Sequence, residues 1–321
     1  MINTLPPSLY SPTADNIWRG RTDTEAKERF FQLINTYDLN HDNIDNISEP
    51  YILSGFASDE GIRRNSGRIG AKSGPDALRH HFGKLACHHD LSLADIGNVL
   101  CTNQDLELSQ QTLASIVSQS HQTNKKTIIL GGGHEISWPH YQGLISHFPN
   151  VGIINFDAHF DLRPLNHNQA TSGSGFFQIS QLCQTENKPF DYCCLGIQNH
   201  SNSRQLFDLA DELNVNFMTA TEMRDNTFAW QTAFLDEFML HQNHLYISIC
   251  LDVFAEAFAP GVSAPQPTGM MPWQIQSLLK YILQTGKVIA IDIAELSPPL
   301  DHDDKTARLA ANLLADIFNF Y

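Results

Sequence analysis

Eight short apolar runs restrict this chain most: YILSG (51–55), LADIG (93–97), TIILGGG (127–133), VGIINF (151–156), YCCLGI (192–197), VNFMT (215–219), LYISICLDV (245–253) and KVIAIDI (287–293). Most are apolar at consecutive positions rather than at every second one. A half-buried strand alternates, whereas a strand covered on both faces does not, and double covering is the habit of parallel sheets. Segments with apolar residues three and four apart lie between the runs: SGPDALRHHFGKL, DLELSQQTLASIVSQSHQT, SRQLFDLADEL, MPWQIQSLLKYILQTG and the closing DKTARLAANLLADIFNF. The first has a proline in its opening turn and the fourth stops at a glycine, both ordinary helix signals. Strands and helices in alternation predict a parallel α/β architecture. Periodicity does not choose between an open three-layer sandwich and a closed barrel. In both, chemistry collects where strand C-termini pass into loops.

The first 45 residues are polar and irregular. They are expected to form an extension (1–45) packed on a single domain (46–321). Of 321 residues 42% are hydrophobic, enough for a sizeable core, and the net charge is −15. That charge argues against a phosphate-backbone partner and favours a small cationic substrate or metal ions. The six cysteines (87, 101, 183, 193, 194 and 250) include no CxxC pair. They predict a reducing, cytoplasmic setting, with Cys193 and Cys194 on opposite faces of one strand. No secretory signal pattern opens the chain, and no apolar run approaches the roughly 18 residues of a membrane span. A small-molecule substrate is expected, without nucleic-acid or membrane partners; assembly into a homo-oligomer stays open.

Four of the runs end in acids or histidines. TIILGGGHE presents His134 and Glu135; IINFDAHFDLR presents Asp157, His159 and Asp161; YISICLDVF presents Cys250 and Asp252; VIAIDIAELSP presents Asp292 and Glu295. Asp157, His159 and Asp161 stand at every second position, so in an extended segment they share a face. Two unpartnered buried carboxylates would cost several kcal/mol, ~2–7 each for a polar group without a partner and more for a charge. One or two divalent cations remove that cost. Oxygen donors with some imidazole suit Mn²⁺ or Mg²⁺, with Zn²⁺ and Fe²⁺ as alternatives. The GGG turn lacks the Lys-Ser/Thr of a phosphate loop and reads as a tight strand ending.

In order and spacing, GGGHE, NFDAHFDLR, SICLDVF…APGVSAP and DIAELSP resemble the arginase/agmatinase (ureohydrolase) family. The likeness runs from about Asp59 to the C-terminus and includes DEGIRRNSGRIGAKSGPDALR. Within the family, these motifs are most similar to the branch that cleaves N-formimidoyl-L-glutamate to L-glutamate and formamide. The resemblance implies a three-layer αβα sandwich around an eight-stranded, mostly parallel sheet. It also implies a centre of two Mn²⁺ ions that activates a bridging water. By position, His134, Asp157 and Asp161 would hold one ion, and Asp157, His159 and Asp252 the other. Glu295 would face the planar cationic amidine, and Asp157, shared by both ions, counts with it as catalytic.

Two departures stand out. The family's S-x-D-x-D reads SICLD here, which puts Cys250 where a bridging aspartate is usual. Coordination as thiolate, lower or single occupancy, a different metal, and a merely buried thiol all stay open. Second, Phe176 stands where arginases and agmatinases carry a proton-shuttling histidine. His167, Glu135 and a bound water stay open as proton donors, and none is assigned. The substrate's two carboxylates need donors; Arg163 is the first candidate, followed by Arg63, Arg64 and Asn65, then Asn202 and Arg204. Another guanidino or amidino hydrolase, agmatinase- or guanidinobutyrase-like, and a non-catalytic metal-binding homologue are the alternatives.

Overall fold

A computed structural model describes residues 6 and 8–320. All eight apolar runs become strands. In chain order the strands are β1 (Tyr10–Ser11), β2 (Ile34–Thr36), β3 (Tyr51–Ala57), β4 (Leu93–Leu100), β5 (Lys126–Gly131), β6 (Gly152–Phe156), β7 (Tyr192–Ile197), β8 (Asn216–Thr219), β9 (Leu245–Cys250) and β10 (Val288–Ala294). They form one open sheet in the order β1-β4-β3-β5-β10-β9-β6-β7-β8, with β2 also on β4. Only β1 runs antiparallel. The sheet therefore has ten strands where eight were expected. The eight expected ones are the continuous parallel path, and the other two are strands of two and three residues on its edge, too short to carry a period.

The helices are α1 (Glu60–Arg64), α2 (Gly74–Gly83), α3 (Leu106–Gln122), α4 (Ser137–Ile145), α5 (Gly175–Thr185), α6 (Arg204–Glu212), α7 (Ala220–Asp225), α8 (Phe228–Met239), α9 (Pro272–Leu283) and α10 (Lys305–Phe320). Side chains of α2 and α7 to α10 share one apolar core with one sheet face. Those of α3 to α6 share a second core with the other face. That is the three-layer αβα sandwich. Cys193 lies in the first core and Cys194 in the second, as adjacent strand residues must. None of the described helices is long and apolar enough to cross a membrane.

Arg79 of α2 is wholly buried and bonds Asp95 at 2.8 Å, Asn98 at 2.5 Å and the Gly97 carbonyl at 3.0 Å, which makes the buried charge tolerable. Thr13 and Trp18 donate to the other oxygen of Asp95, both at 2.7 Å, and Trp18 packs edge-on against Phe82. These contacts hold the segment before β3 to the edge of the sheet. Residues 1–5 and 7, in the expected extension, and residue 321 lie outside the described residues.

Candidate active site

β5, β10, β9 and β6 are consecutive neighbours in mid-sheet, and their C-terminal ends carry the four acid-bearing loops. β5 and β6 are joined in sequence yet lie on either side of β10 and β9, the kind of reversal beside which α/β sheets place their sites. After β5 the chain turns through Gly132 and Gly133. Neither has a positive φ; both are small because neighbours press on them. A Cβ on Gly132 would strike the Ser58 carbonyl, and one on Gly133 the Glu135 carboxylate. The tight ending read from GGG thus rests on close approach rather than backbone freedom.

The segment after β6 corrects the extended-face argument. β6 ends at Phe156, and Asp161 has a left-handed φ of +48°. Asp157, His159 and Asp161 converge because a bent loop is held, not because a strand continues. Asn202 holds it: its Oδ1 accepts from the Phe160 N–H (3.1 Å) and its Nδ2 donates to the Ala158 and Gln198 carbonyls (both 2.9 Å). Asp157 Oδ1 accepts from the His159 N–H at 2.8 Å, and Asn155 donates to its other oxygen at 3.1 Å. Glu295 and Ser66 are the other left-handed residues lining the cavity, with φ +72° and +59°. Non-glycine residues in this region cost of order 1–3 kcal/mol and gather at functional sites.

The side chains form two overlapping clusters. In one, donor atoms of His134, Asp157 and Cys250 all lie within 4.8 Å of one another; in the other, those of Asp157, His159 and Asp252 do. Asp161 joins the first through His134, whose Nδ1 is 2.9 Å from an oxygen of Asp157 and 2.9 Å from one of Asp161. Yet this Nδ1 makes no directed hydrogen bond, and Asp252 Oδ1 and Glu295 Oε2 are also buried without a partner. Three aspartates, Glu295 and two histidines share the space, and no lysine or arginine among the described residues pairs with any of the acids. Donors that converge on common points without hydrogen-bond direction fit divalent cations better than an ion-pair network.

Titration behaviour follows from the same crowding. Burial would raise Asp157, but His134 and His159 outweigh it and hold the carboxyl far below its usual range. Burial and Asp157 push Asp161 up; burial also raises Asp252, against the pull of His159. Glu295 is raised well above the usual glutamate value by burial, then by Asp252 and Glu135.

Beneath the donors runs a polar network. Ser248 Oγ donates to Asp292 at 2.5 Å, so toward His134 Nε2, 2.8 Å away, it can only accept. The proton of a neutral His134 therefore sits on Nε2, and the Nδ1 lone pair faces the cavity, as a metal ligand requires. Asp292 is fixed in turn by Tyr246 and by His140, 2.9 Å away. Asp292 is thus a support below the site, not a cavity wall.

These walls enclose a cavity of about 330 Å³ that Cys250, Asp252, Glu295, His134, His159 and Asp161 line from below. Asn65, Arg68, Arg163 and Asn202 line it further out. Arg163 is exposed, and its guanidinium has no hydrogen-bond or ion-pair partner among the described residues. Asn65 Nδ2 reaches Ser172 at 3.2 Å. Arg63 and Arg64 do not line the cavity. Arg63 forks onto Glu60 at 2.7 Å through two nitrogens, and Arg64 is divided between Glu60 and Glu107. Both were expected to meet substrate; salt bridges to these acids hold them elsewhere. Asn202 reaches the cavity, but its polar atoms are spent on the 157–161 loop. Arg204 is exposed and off the cavity, 3.8 Å from Asp208.

Arg68 escaped the sequence reading. Its guanidinium grips the carbonyls of Val262 (2.7 Å) and Ser263 (2.9 Å), contacts between distant loops that no local pattern announces. Glu135 points away from the cavity, accepting from Ser58 (2.9 Å) and the Gly61 N–H (3.0 Å), and burial pushes it up to about 7. His167 is exposed and off the cavity. Phe176 lies edge-on to the His134 ring, 5.4 Å between centroids, and stacks on Tyr192.

Residues 49–319 match the arginase family. The chain belongs to the arginase family. Formimidoylglutamase of Legionella pneumophila (strain Paris) is 50% identical over 313 residues, covering 97% of this chain and 98% of that protein. The formimidoylglutamase of Clostridium tetani is 40% identical, covering 97% and 96%. Among solved structures, formimidoylglutamase from Bacillus subtilis superposes with a TM-score of 0.80 at 25% identity, covering 92% of this chain and 93% of that one. A Trypanosoma cruzi formiminoglutamase crystallised with two Mn²⁺ shares the fold, with a TM-score of 0.78 at 23% identity, covering 91% of this chain and 97% of that one. The arginase-family fold agrees with the layers and parallel path described above.

Proposed function

We propose that this arginase-family chain hydrolyses the C–N bond of N-formimidoyl-L-glutamate, giving L-glutamate and formamide, in the cavity above β5, β10, β9 and β6. The observation that carries the reading is the double cluster of converging acids and imidazoles, with an unpaired guanidinium at its mouth. His134, Asp157 and Asp161 would hold one Mn²⁺, and Asp157, His159 and Asp252 a second, with Cys250 between them. Such a pair of cations lowers the pKa of a water and stabilises charge that develops at the attacked carbon.

The chain's own residues do the rest. Ser248 and Asp292 keep His134 in the ligating tautomer. Glu295, buried and with Oε2 free, faces the cavity as an acceptor for the amidine N–H groups; a planar cation suits a carboxylate with two oxygens. Burial, Asp252 and Glu135 raise its affinity for a proton, and a cationic substrate beside it would oppose that shift, because opposite charge favours the ionised form. Arg163, supported by Asn65, would receive a substrate carboxylate. Formimidoylglutamase relatives at 50% and 40% identity over nearly the whole chain support this substrate over a guanidino compound. Six free cysteines favour a cytoplasmic protein, and the bonds of Thr13 and Trp18 to Asp95 favour residues 1–45 as an extension packed on one catalytic domain, 46–321.

The test is product identity. Metal-loaded protein given N-formimidoyl-L-glutamate should release formamide, and given agmatine or guanidinobutyrate it should release no urea. Urea release would move the assignment to a sister amidino-hydrolase. No product from any of these with Mn²⁺, Co²⁺ or Zn²⁺ would mark a non-catalytic homologue.

A further inference from the structure

Five of the six cysteines belong to apolar packing. Cys87 and Cys193 lie in one core, Cys183 and Cys194 in the other, and Cys101 packs against the second. Cys250 is in neither. It ends β9, is 2% exposed, and stands on the cavity wall with His134, Asp252 and Glu295. Its Sγ, His134 Nδ1 and an Asp157 oxygen lie mutually within 4.8 Å. Asp157 also belongs to the cluster of His159 and Asp252, so the sulfur sits beside the residue both clusters share. His134 Nδ1 and Asp252 Oδ1, in the same cavity wall, are buried and unpartnered. A free cysteine buried for packing alone behaves as a small apolar residue; this one is surrounded by polar donors.

Resting on the hydrolase reading above, we propose that Cys250 is a thiolate ligand between the two metal positions and that it moves the site's preference from manganese toward softer divalent ions, such as Co²⁺, Zn²⁺ and Fe²⁺. Binding exchanges the S–H bond for a metal–sulfur bond and releases the proton to solvent; no oxidant is involved. Oxygen donors suit Mn²⁺ and Mg²⁺, whereas thiolate favours softer ions. Nearly all nitrogen and oxygen sites already rank Co²⁺ and Zn²⁺ above Mn²⁺. The informative quantity is therefore the change in that ranking when the sulfur is replaced.

The experiment uses the full chain and its Cys250→Asp and Cys250→Ser variants, each checked for a cooperative thermal transition. Each is dialysed against equal Mn²⁺ and Co²⁺, and bound metal is measured by elemental analysis. The Co²⁺ forms are also examined for sulfur-to-cobalt charge-transfer absorption in the near ultraviolet. The proposal expects that band in the natural protein and in neither variant, and a bound Co/Mn ratio about tenfold higher than in Cys250→Asp. If Cys250→Asp does not fold, the band and the ratio are compared against Cys250→Ser. Equal ratios overturn the selectivity even if the band is present; absence of the band in the natural protein overturns the ligation. Formamide release, assayed on the same samples, tests the hydrolase reading separately: a protein that releases formamide without the band refutes only this inference.

Discussion

The floor of the cavity and its mouth are built on different principles. At the floor, His134, Asp157, Cys250 and Glu295 lie at or within three residues of the ends of four adjacent strands. In a second tier beneath them, Ser248 bonds His134 and is itself held by Asp292, which Tyr246 and His140 fix in turn. At the mouth, Asn65, Arg68 and Arg163 come from loops, and the guanidinium of Arg163 has no hydrogen-bond or ion-pair partner among the described residues. Rigid strand ends suit chemistry that needs fixed donors. A loop arginine suits recognition, where the ligand itself supplies the ordering contact. The comparison predicts that floor substitutions act on metal retention and turnover, and mouth substitutions on substrate affinity.

The largest effect belongs to Asp157→Ala, which removes a donor from both clusters. Metal content and formamide release should both fall by more than the roughly 10–100-fold typical of losing an outer-shell partner. Normal metal content in that variant would break the comparison at its base. Ser248→Ala should come next. His134 would lose the acceptor that fixes its tautomer, and metal affinity should weaken by about 10–100-fold in a metal-competition titration, with the fold intact. An unchanged affinity would mean that the lower tier is only packing.

Arg163→Ala should leave metal content unchanged and raise KM. Loss of a charge-assisted bond is worth about 1.5–3 kcal/mol, roughly a tenfold to hundredfold change. A fall in kcat with constant KM would place Arg163 in the floor's class instead. Arg63→Ala should do least: KM unchanged and stability only slightly lowered, since Arg63 is half exposed and solvent screens such a pair. Its bonds to Glu60 hold that carboxyl below the ordinary glutamate value. The stabilisation is therefore complete above the unfolded pKa and is lost as pH falls through the folded one. The stability gap between the two proteins should close in acid-titrated denaturation curves.

The same division governs what could be read in advance. Continuous apolar runs marked the eight parallel strands, and the acids at their ends marked the floor. β1 and β2 could not be foreseen, because two or three residues carry no period. α4 begins in a tight turn with Pro139 near its start, and α5 opens on Gly175 with no side-chain cap, so neither start carries a clear helix signal. Some of the second tier was readable: Ser248, Tyr246 and Asp292 interrupt otherwise apolar strands, and a buried polar group requires a partner. So was the fate of Arg63 and Arg64, since Glu60 stands three and four residues before them, at helix-pair spacing. Arg68 was not readable. Its partners lie 194 and 195 residues away, on a loop whose approach only the tertiary fold sets.

The most direct measurement is anomalous diffraction from crystals of the full chain grown with manganese. Two peaks about 3.5–4 Å apart, both within coordination distance of Asp157, with His134 and Asp161 on one and His159 and Asp252 on the other, are predicted. Those side chains bonded only to one another, with no anomalous signal among them, would contradict the assignment.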